Sequence, residues 1–267
     1  MNREKREKCA AAILVVSYGC RGRTMREKTL DRIEADIRNA CPEYVVFHAW
    51  TSGKLRKKCF EQEGIRIPGV KEAMEELLRR GIRDVAVLPT HVLGGLEYQG
   101  MKKELQAFEG RGSRILTGVT LLSSEEDRRK AAKALAAELK PGADEALALI
   151  GHGTKDGLDT AYRELDGAFR KLGYGNIFVG AMEGEPDFQS VLDRIRKRNP
   201  ERVVLAPLMI AAGKHAARDM GGGSSHSWKS RLEEAGFPTV CIMKGMGEYE
   251  EIRRIFTRRA EELASFF

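Results

Sequence analysis

The sequence predicts an α/β protein made of two related lobes, each a parallel sheet flanked by helices, with an active-site cleft between them. Short apolar runs alternate with amphipathic stretches of helical period, a pattern typical of parallel sheets covered on both faces. The two halves also resemble each other, because a shift of 134 residues aligns the strand and glycine loop at 16–20 with those at 150–154. Ligands of open α/β sheets bind at the carboxyl ends of strands, so a duplicated unit predicts a cleft between its halves.

Each predicted strand is a short apolar run bounded by polar or glycine-containing segments. The strands are Ile13–Val16, Tyr44–Phe47, Val85–Leu88 and Ile115–Val119, followed by Leu147–Ile150, Ile177–Val179, Val203–Leu205 and Val240–Met243. Helical spacing between them is clear at Leu30, Ile33 and Ile37. A helical segment ends at Pro141-Gly142, and this break predicts a boundary there. Residues 1–140 are expected to form the N-terminal lobe and residues 141–267 the C-terminal lobe.

The composition is that of an ordinary soluble protein, with 42% hydrophobic and 32% charged residues and a mean hydropathy of -0.39. No run approaches the roughly 18 apolar residues of a membrane span, so no membrane partner is expected. Basic Met1–Lys8 and apolar Ala10–Val16 superficially resemble a signal peptide, but the apolar run is short and bulky Tyr18 stands where cleavage needs a small residue. The five cysteines lack a CxxC pair, which argues against disulfides and favours a cytoplasmic location.

The net charge of +7 is concentrated in the first half of the chain. Residues 1–140 contain 28 Lys and Arg against 20 Asp and Glu, whereas residues 141–267 contain 18 against 19. A basic half indicates an anionic partner. A nucleic acid is not expected, because the basic residues are not interleaved with aromatic residues, which form only 7% of the chain.

The second half contains three candidate metal ligands, two of them just beyond predicted strands and the third, His215, in the segment that follows the strand Val203–Leu205 and is expected to face the cleft. They are His152 between two glycines, Glu183 in a Met-Glu-Gly-Glu segment, and His215 after a run of small residues. Two imidazoles and one carboxylate suit cobalt, iron or nickel. From the residues alone His152 could equally be an exposed or structural histidine, and Glu183 and Glu185 could be helix-entry charges.

Two sets of motifs, one in each half, occur in the order found in a known enzyme family. They are Val16-Ser-Tyr-Gly19, Thr51-Ser52 and Pro89–Tyr98, followed by Gly151-His-Gly-Thr154, Val179–Gly184, Pro207–Met220, Ser227–Gly236 and Lys244–Glu248. Together they resemble the anaerobic-type, class II sirohydrochlorin cobaltochelatases, which insert cobalt into sirohydrochlorin during cobalamin synthesis. The resemblance covers nearly the whole chain and is specific as a set.

The resemblance implies that His152, Glu183 and His215 form a metal-binding and catalytic triad, with the histidines as candidates for taking pyrrole protons. It makes Glu185 the less favoured carboxylate. The basic first lobe is expected to contact the eight carboxylates of the tetrapyrrole. The expected substrate-binding residues are Ser17, Tyr18, Lys54, His91 and Glu97. Lys214, Arg218 and Cys20 depart from the family pattern.

The expected reaction is metal insertion without ATP, since the chain has no GxxxxGKS phosphate loop. No cofactor is expected beyond the substrate metal, for which Co(II) is favoured, with Fe(II) and Ni(II) as alternatives. The sequence leaves open a siroheme-forming ferrochelatase, and also a tetrapyrrole or metal carrier without catalytic activity. It is compatible with a homo-oligomer.

Overall fold

The computed structural model of the protein describes residues 11–110, 112–153, 160–213 and 216–267. Within these residues the chain forms two four-stranded parallel sheets with flanking helices. The predicted α/β class is therefore confirmed. Contacts divide the chain into two compact units, one of Met1–Thr120 with Arg253–Phe267 and the other of Leu121–Ile252.

The first unit is a sheet with strand order β2-β1-β3-β4. Its elements are β1 (Ala11–Ser17), α1 (Arg23–Lys28), α2 (Leu30–Ala40), β2 (Val45–Trp50), α3 (Gly53–Glu63), α4 (Val70–Arg79), β3 (Asp84–Pro89), α5 (Leu96–Gln106) and β4 (Arg114–Thr117). All seven residues of β1 are buried, because this strand lies between two others and is covered on both faces. Amphipathic α4 contributes Val70, Met74 and Leu77 to the core on one face.

The second unit repeats this arrangement with strand order β6-β5-β7-β8. Its elements are α6 (Glu125–Leu139), β5 (Glu145–Gly153), α7 (Thr160–Lys171), β6 (Ile177–Glu183), α8 (Phe188–Arg198), β7 (Arg202–Pro207), α9 (Trp228–Glu234) and β8 (Thr239–Cys241). In both units the first strand pairs with the second and third, and the fourth lies outside the third. The internal similarity in the sequence thus corresponds to a repeated sheet topology.

The division between the units differs from the expected boundary at residue 140. Helix α6 buries Ala131, Ala132 and Leu135, and it belongs to the second unit. Arg128 and Glu125 of α6 form ion pairs with Glu164 and Lys171 of α7, at 3.1 and 2.7 Å. Pro141-Gly142 therefore ends a helix inside a unit, and the change of unit comes at residue 121, before that helix begins.

Most residues of the last helix, α10 (Glu250–Ala264), belong to the first unit. The guanidinium of Arg253 lies 2.6 Å from the carboxylate of Asp36 on α2. Arg259 donates to the carbonyl oxygen of Thr120 at 3.1 Å, and the Tyr44 hydroxyl donates to that of Ala264 at 2.9 Å. The first unit is therefore built from two separate stretches of chain.

The charge difference is larger between these units than between the two halves of the sequence. The first unit has 27 Lys and Arg against 18 Asp and Glu, and the second has 19 against 21. The basic residues of α10 account for part of this difference. None of the helices in the described part of the chain combines the length and apolar character needed to cross a membrane.

Candidate functional site

His152 lies near the carboxyl end of β5, between Gly151 and Gly153. Each of these positions requires glycine, but for a different structural reason. A Cβ at Gly151 would lie 2.5 Å from the Tyr162 hydroxyl oxygen, so Gly151 makes room for this buried side chain of α7. Gly153 has a φ of 88°, and a Cβ there would lie only 1.5 Å from the Glu183 carbonyl oxygen. The two glycines thus hold the backbone around an exposed imidazole.

Glu183 is the last residue of β6, which is paired with β5. Gly153 lies opposite Glu183 in the parallel register, so His152 is displaced from Glu183 by one residue. Standard strand spacings put the Cα atoms of His152 and Glu183 about 6 Å apart. Both side chains are exposed, and Gly153 and Gly184, each at positive φ, turn the chain out of the sheet here. The structure therefore brings these two predicted ligands to the same edge of the sheet.

Glu185 lies two residues further on, beyond the end of β6. Its exposed carboxylate lies 3.8 Å from the guanidinium of Arg163 on α7. Glu183 is part of the strand register, whereas Glu185 follows the turn at Gly184. The ranking of Glu183 above Glu185 as the metal-binding carboxylate remains a prediction.

His215 and the adjacent Lys214 lie outside the described residues. The loop that leads to them follows β7, the other neighbour of β5. The Leu208 amide donates to Ile150 at 2.8 Å, which ties the start of the loop to β5. After the gap, Ala216–Met220 forms a π-helical turn. Within the described residues no three His, Cys, Asp or Glu side chains come together as a metal site, and the predicted triad includes a residue outside them.

The 244–248 motif supports this loop. The amides of Met246 and Gly247 donate to the carbonyl oxygens of Met209 and Ile210, at 2.7 and 2.9 Å. A Cβ at Gly245 would lie 2.4 Å from the Ile210 carbonyl oxygen. Such close approach of two backbone segments requires glycine. The motif therefore packs against the loop after β7 and stabilises it through backbone hydrogen bonds.

Ser17 and Tyr18 lie where β1 ends in the first unit. The buried Ser17 hydroxyl accepts a hydrogen bond from Thr90 at 2.8 Å, whereas the Tyr18 side chain is half exposed. Gly19 follows at a φ of 103°, and Trp50 packs against it so closely that a Cβ would lie 2.7 Å from the indole. Tyr18 is therefore the more accessible of the two predicted contacts.

His91 follows β3 and is 8% exposed. Its Nε2 lies 3.3 Å from the Thr51 hydroxyl, and among the described residues its Nδ1 has no hydrogen-bond partner. Burial lowers the pKa of His91 to about 4, so the imidazole is neutral at physiological pH. Such a weak base argues against His91 as an acceptor of pyrrole protons, although its nitrogens can still take part in hydrogen bonds.

Lys54 and Glu97 both lie in first turns of helices and are exposed. Lys54 belongs to α3, whose N-cap Ser52 accepts from the Leu55 amide at 3.4 Å. Glu97 belongs to α5, where an acidic residue suits the helix dipole. Their positions suit substrate binding at the carboxyl edge of the sheet, and they are also ordinary positions for charged residues at the starts of helices.

Sequence reasoning assigned no role to Thr51, Tyr162 or Trp228. Thr51 orients His91, and its amide also donates to Ser17 at 2.9 Å. Trp228 packs so closely on β6 that a Cβ at Gly180 would lie 2.5 Å from its ring. The available signal was a glycine inside an apolar run, which often marks the close approach of another group.

Two of the departures from the family pattern lie in described residues. Arg218 forms two hydrogen bonds with the neighbouring Asp219, at 2.5 and 2.9 Å. Cys20 is buried, and burial raises the pKa of its thiol to about 12, so the thiol stays protonated. Neither residue therefore offers a thiolate or an unpaired charge.

Comparison with known proteins identifies the family. The model of the family described as "Cobalt chelatase (CbiK)" matches residues 11–265. The sirohydrochlorin cobaltochelatase of Salmonella typhimurium is 33% identical over 246 residues, which cover 92% of this chain and 93% of that protein. Sirohydrochlorin cobaltochelatase CbiKC of Nitratidesulfovibrio vulgaris is 29% identical over 242 residues, covering 89% of this chain and 85% of that protein.

Solved structures show the same fold at lower sequence identity. SirB from Bacillus subtilis with Fe3+ has a TM-score of 0.67 at 16% identity, covering 96% of each chain. CbiX, described as the terminal enzyme of siroheme biosynthesis in denitrifying bacteria, has a TM-score of 0.58 at 17% identity, covering 94% of this chain and 98% of its own. The family match spans nearly the whole chain, and the chain belongs to the CbiK cobalt chelatase family.

Proposed function

We propose that this protein is a sirohydrochlorin cobaltochelatase that inserts Co(II) without ATP, and that His152, Glu183 and His215 bind the metal. The observation that carries the site assignment is the pairing of β5 with β6, which brings His152 and Glu183 to neighbouring positions at one sheet edge. The family match and the two cobaltochelatase relatives support the substrate pair.

Insertion requires that the metal loses most of its water ligands and that the ring loses two pyrrole protons. Imidazole and carboxylate ligands suit a borderline divalent cation. An unprotonated imidazole that is not bound to metal can also accept a proton, and the carboxylate offsets positive charge. In this proposal the strand ends position both groups beside the bound ring, which replaces a slow encounter by a positioned exchange.

The first unit supplies the binding surface for the tetrapyrrole in this proposal. Its excess of nine basic residues suits a ring with eight carboxylates. Tyr18, Lys54 and Glu97 are exposed enough to contact it, and His91 contributes hydrogen bonding as a neutral group. Ser17 would act through Thr90, which occupies its hydroxyl. We place the enzyme in the cytoplasm with no nucleic-acid partner, and a homo-oligomer is compatible with the proposal.

The decisive experiment incubates the purified protein with sirohydrochlorin and Co(II), Fe(II) or Ni(II) separately. Initial rates are read from the tetrapyrrole absorbance above the spontaneous background. We expect cobalt to be inserted fastest. Faster insertion of iron would identify a siroheme-forming ferrochelatase, and tight binding without turnover would identify a carrier.

The metal-binding residues are tested with matched variants in the same assay. His152→Ala and Glu183→Gln should each lower kcat by about 100-fold or more, since each removes a metal ligand. Glu185→Gln serves as the control, because it changes the same chemical group two residues away. Near-normal turnover in His152→Ala and Glu183→Gln, or an equal loss in Glu185→Gln, would refute the assignment.

A further inference from the structure

The first unit contains a groove that the proposed function does not use. The groove has a volume of about 380 Å3, and we call it the α3 groove. It is lined by Gly53, Arg56, Lys57, Phe60, Arg66, Ile67 and Glu72. The first four of these residues follow helical spacing and therefore form one face of α3. The others come from the segment that leads into α4 and from its first turn.

Two large apolar side chains, Phe60 and Ile67, line the α3 groove. The Phe60 side chain is 59% exposed, although the preceding residue of the same helix, Cys59, is buried. Ile67, the other apolar residue with a large side chain in this lining, is 6% exposed. An exposed aromatic ring in a groove that a buried aliphatic side chain also lines offers apolar surface on which another unsaturated ring can stack.

The side chain of Arg56, which also lines the groove, is held in place by two neighbouring groups. Its Nη1 lies 3.0 Å from Oε2 of Glu72, and that oxygen also accepts the Gly69 amide at 2.8 Å. A Cβ at Gly69 would lie 3.0 Å from the guanidinium carbon, so glycine leaves room for Arg56 to lie over the backbone. The charge of Arg56 is thus largely offset by Glu72, and its position is set from two sides.

Lys57 and Arg66 are the adaptable cations of the groove. Their side chains are 78% and 83% exposed. Each forms a long ion pair, with Lys57 at 3.8 Å from Glu61 and Arg66 at 3.9 Å from Glu72. Exposed pairs of this kind contribute little to stability, so both side chains can turn towards an anion at little cost.

We propose that the α3 groove binds a flat unsaturated ring that carries carboxylates, with the ring against Phe60 and Ile67 and the carboxylates paired with Lys57 and Arg66. The groove volume falls in the range of small-molecule sites, about 300–1,000 Å3. Two kinds of ligand fit this description, the substrate tetrapyrrole and a free aromatic acid. The assignment to the tetrapyrrole rests on the proposed function.

The position of the groove favours the tetrapyrrole. Gly53 begins α3 only three residues after β2 ends, so the groove starts at the carboxyl end of the sheet. Phe60 lies about 10 Å further along the helix, at 1.5 Å per residue. The groove therefore offers a place for one edge of a large ring whose remainder lies at the strand ends.

The test measures binding of two probes by fluorescence quenching and competition. Uroporphyrin is a flat octacarboxylate ring, and naphthalene-2,6-dicarboxylate is a small aromatic acid. The groove variants are Lys57→Glu/Arg66→Glu and Phe60→Ser. The matched control is Lys71→Glu/Lys130→Glu, which has the same change in net charge at exposed helix lysines outside the groove.

We expect the groove double variant to raise the Kd for uroporphyrin about tenfold, because two ion pairs become two repulsions. Phe60→Ser should raise it about threefold, and the control less than twofold. If only the naphthalene probe depends on the groove, the ligand is a free aromatic acid. Equal weakening in groove and control variants, or no dependence for either probe, would overturn the proposal.

The binding test is independent of metal insertion. If the wild-type protein binds uroporphyrin through the groove but inserts no metal, the proposed function fails and the groove assignment stands. If insertion proceeds and the groove variants leave both the KM for sirohydrochlorin and the probe affinities unchanged, the groove assignment fails and the proposed function stands.

Discussion

Gly153 shows at the scale of one residue why the proposed metal site needs glycine beside its histidine. The residue combines a φ of 88° with a backbone contact to the Glu183 carbonyl that leaves no room for a Cβ. Gly173 has the same φ of 88°, but a Cβ there would meet no atom within 4 Å. Alanine at Gly173 would therefore suffer only the strain of a left-handed backbone, whereas alanine at Gly153 would suffer that strain and a steric clash.

We expect Gly153→Ala to lower the free energy of unfolding by about 3 kcal/mol or more, since strain and clash add. Gly173→Ala should cost about 1 kcal/mol, from backbone strain alone. Urea unfolding followed by tryptophan fluorescence measures both values, and the insertion assay should show loss of activity only for Gly153→Ala. Equal costs for the two variants would contradict the close approach of β5 and β6 at this point.

His91 makes stability depend on pH at the same scale. Burial lowers its pKa to about 4, below the ordinary value of 6.5. The unfolded chain therefore binds a proton that the folded chain excludes, and stability is lost as the pH falls from about 6.5 to about 4. This loss should amount to about 3 kcal/mol. We expect His91→Gln to remove that component from the pH dependence of the unfolding free energy.

His48 provides the control of opposite sign. A hydrogen bond to Glu34 at 3.1 Å raises its pKa, so its stabilising contribution is present at low pH and is lost as the pH rises through the folded-state value. His48→Gln should therefore cost more at pH 5 than at pH 8. Parallel pH profiles for wild type and His91→Gln would show that His91 is not held neutral in the folded state.

At the scale of elements, the strands were predictable because they are buried on both faces. Runs such as Ile13–Val16 and Leu147–Ile150 lie inside β1 and β5, and every strand of the described residues overlaps a predicted apolar run. The positions of His152 and Glu183 at strand ends followed from this. The environment of His91 could not be predicted in this way. Its imidazole contacts Thr51, which lies 40 residues earlier, and Tyr98, which lies on α5.

A second element-scale feature is the anchoring of the edge strand β6 by a buried carboxylate. Asp166 of α7 accepts the Val179 amide at 3.0 Å and forms two hydrogen bonds with Arg194 of α8, both at 2.9 Å. The side chain of Asp166 is 3% exposed. One residue thus connects two helices to the strand that ends at Glu183.

We expect Asp166→Asn to lower the free energy of unfolding by about 3 kcal/mol, because it leaves Arg194 without its charged partner in a partly buried site. Asp193→Asn is the control, since Asp193 is 53% exposed and lies 3.6 Å from Arg196. That change should stay within about 0.5 kcal/mol. Urea unfolding distinguishes the two, and a small effect in Asp166→Asn would show that the pair contributes little to anchoring.

At the scale of the whole molecule, the division into units could not be predicted from local signals. Pro141-Gly142 marks a real helix end, but α6 packs on the second unit through its alanine-rich face. Similarly, nothing local in α10 indicates that it returns to the first unit, since that depends on Asp36 and Tyr44, more than 200 residues earlier. A change of unit is decided by tertiary packing, which a break in helical pattern does not report.

The charge difference between the units leads to a prediction about the substrate. The first unit has 27 basic against 18 acidic residues, and the second has 19 against 21. If the first unit attracts a polycarboxylate tetrapyrrole, salt must weaken the attraction, because the screening length falls to about 8 Å at 0.15 M. Raising NaCl from 20 to 200 mM should therefore increase the KM for sirohydrochlorin about fivefold, while kcat changes less than twofold. Sucrose at matched osmolality is the control for nonspecific solvent effects and should leave KM unchanged. A KM that does not respond to salt would show that recognition of the ring depends on close contacts alone.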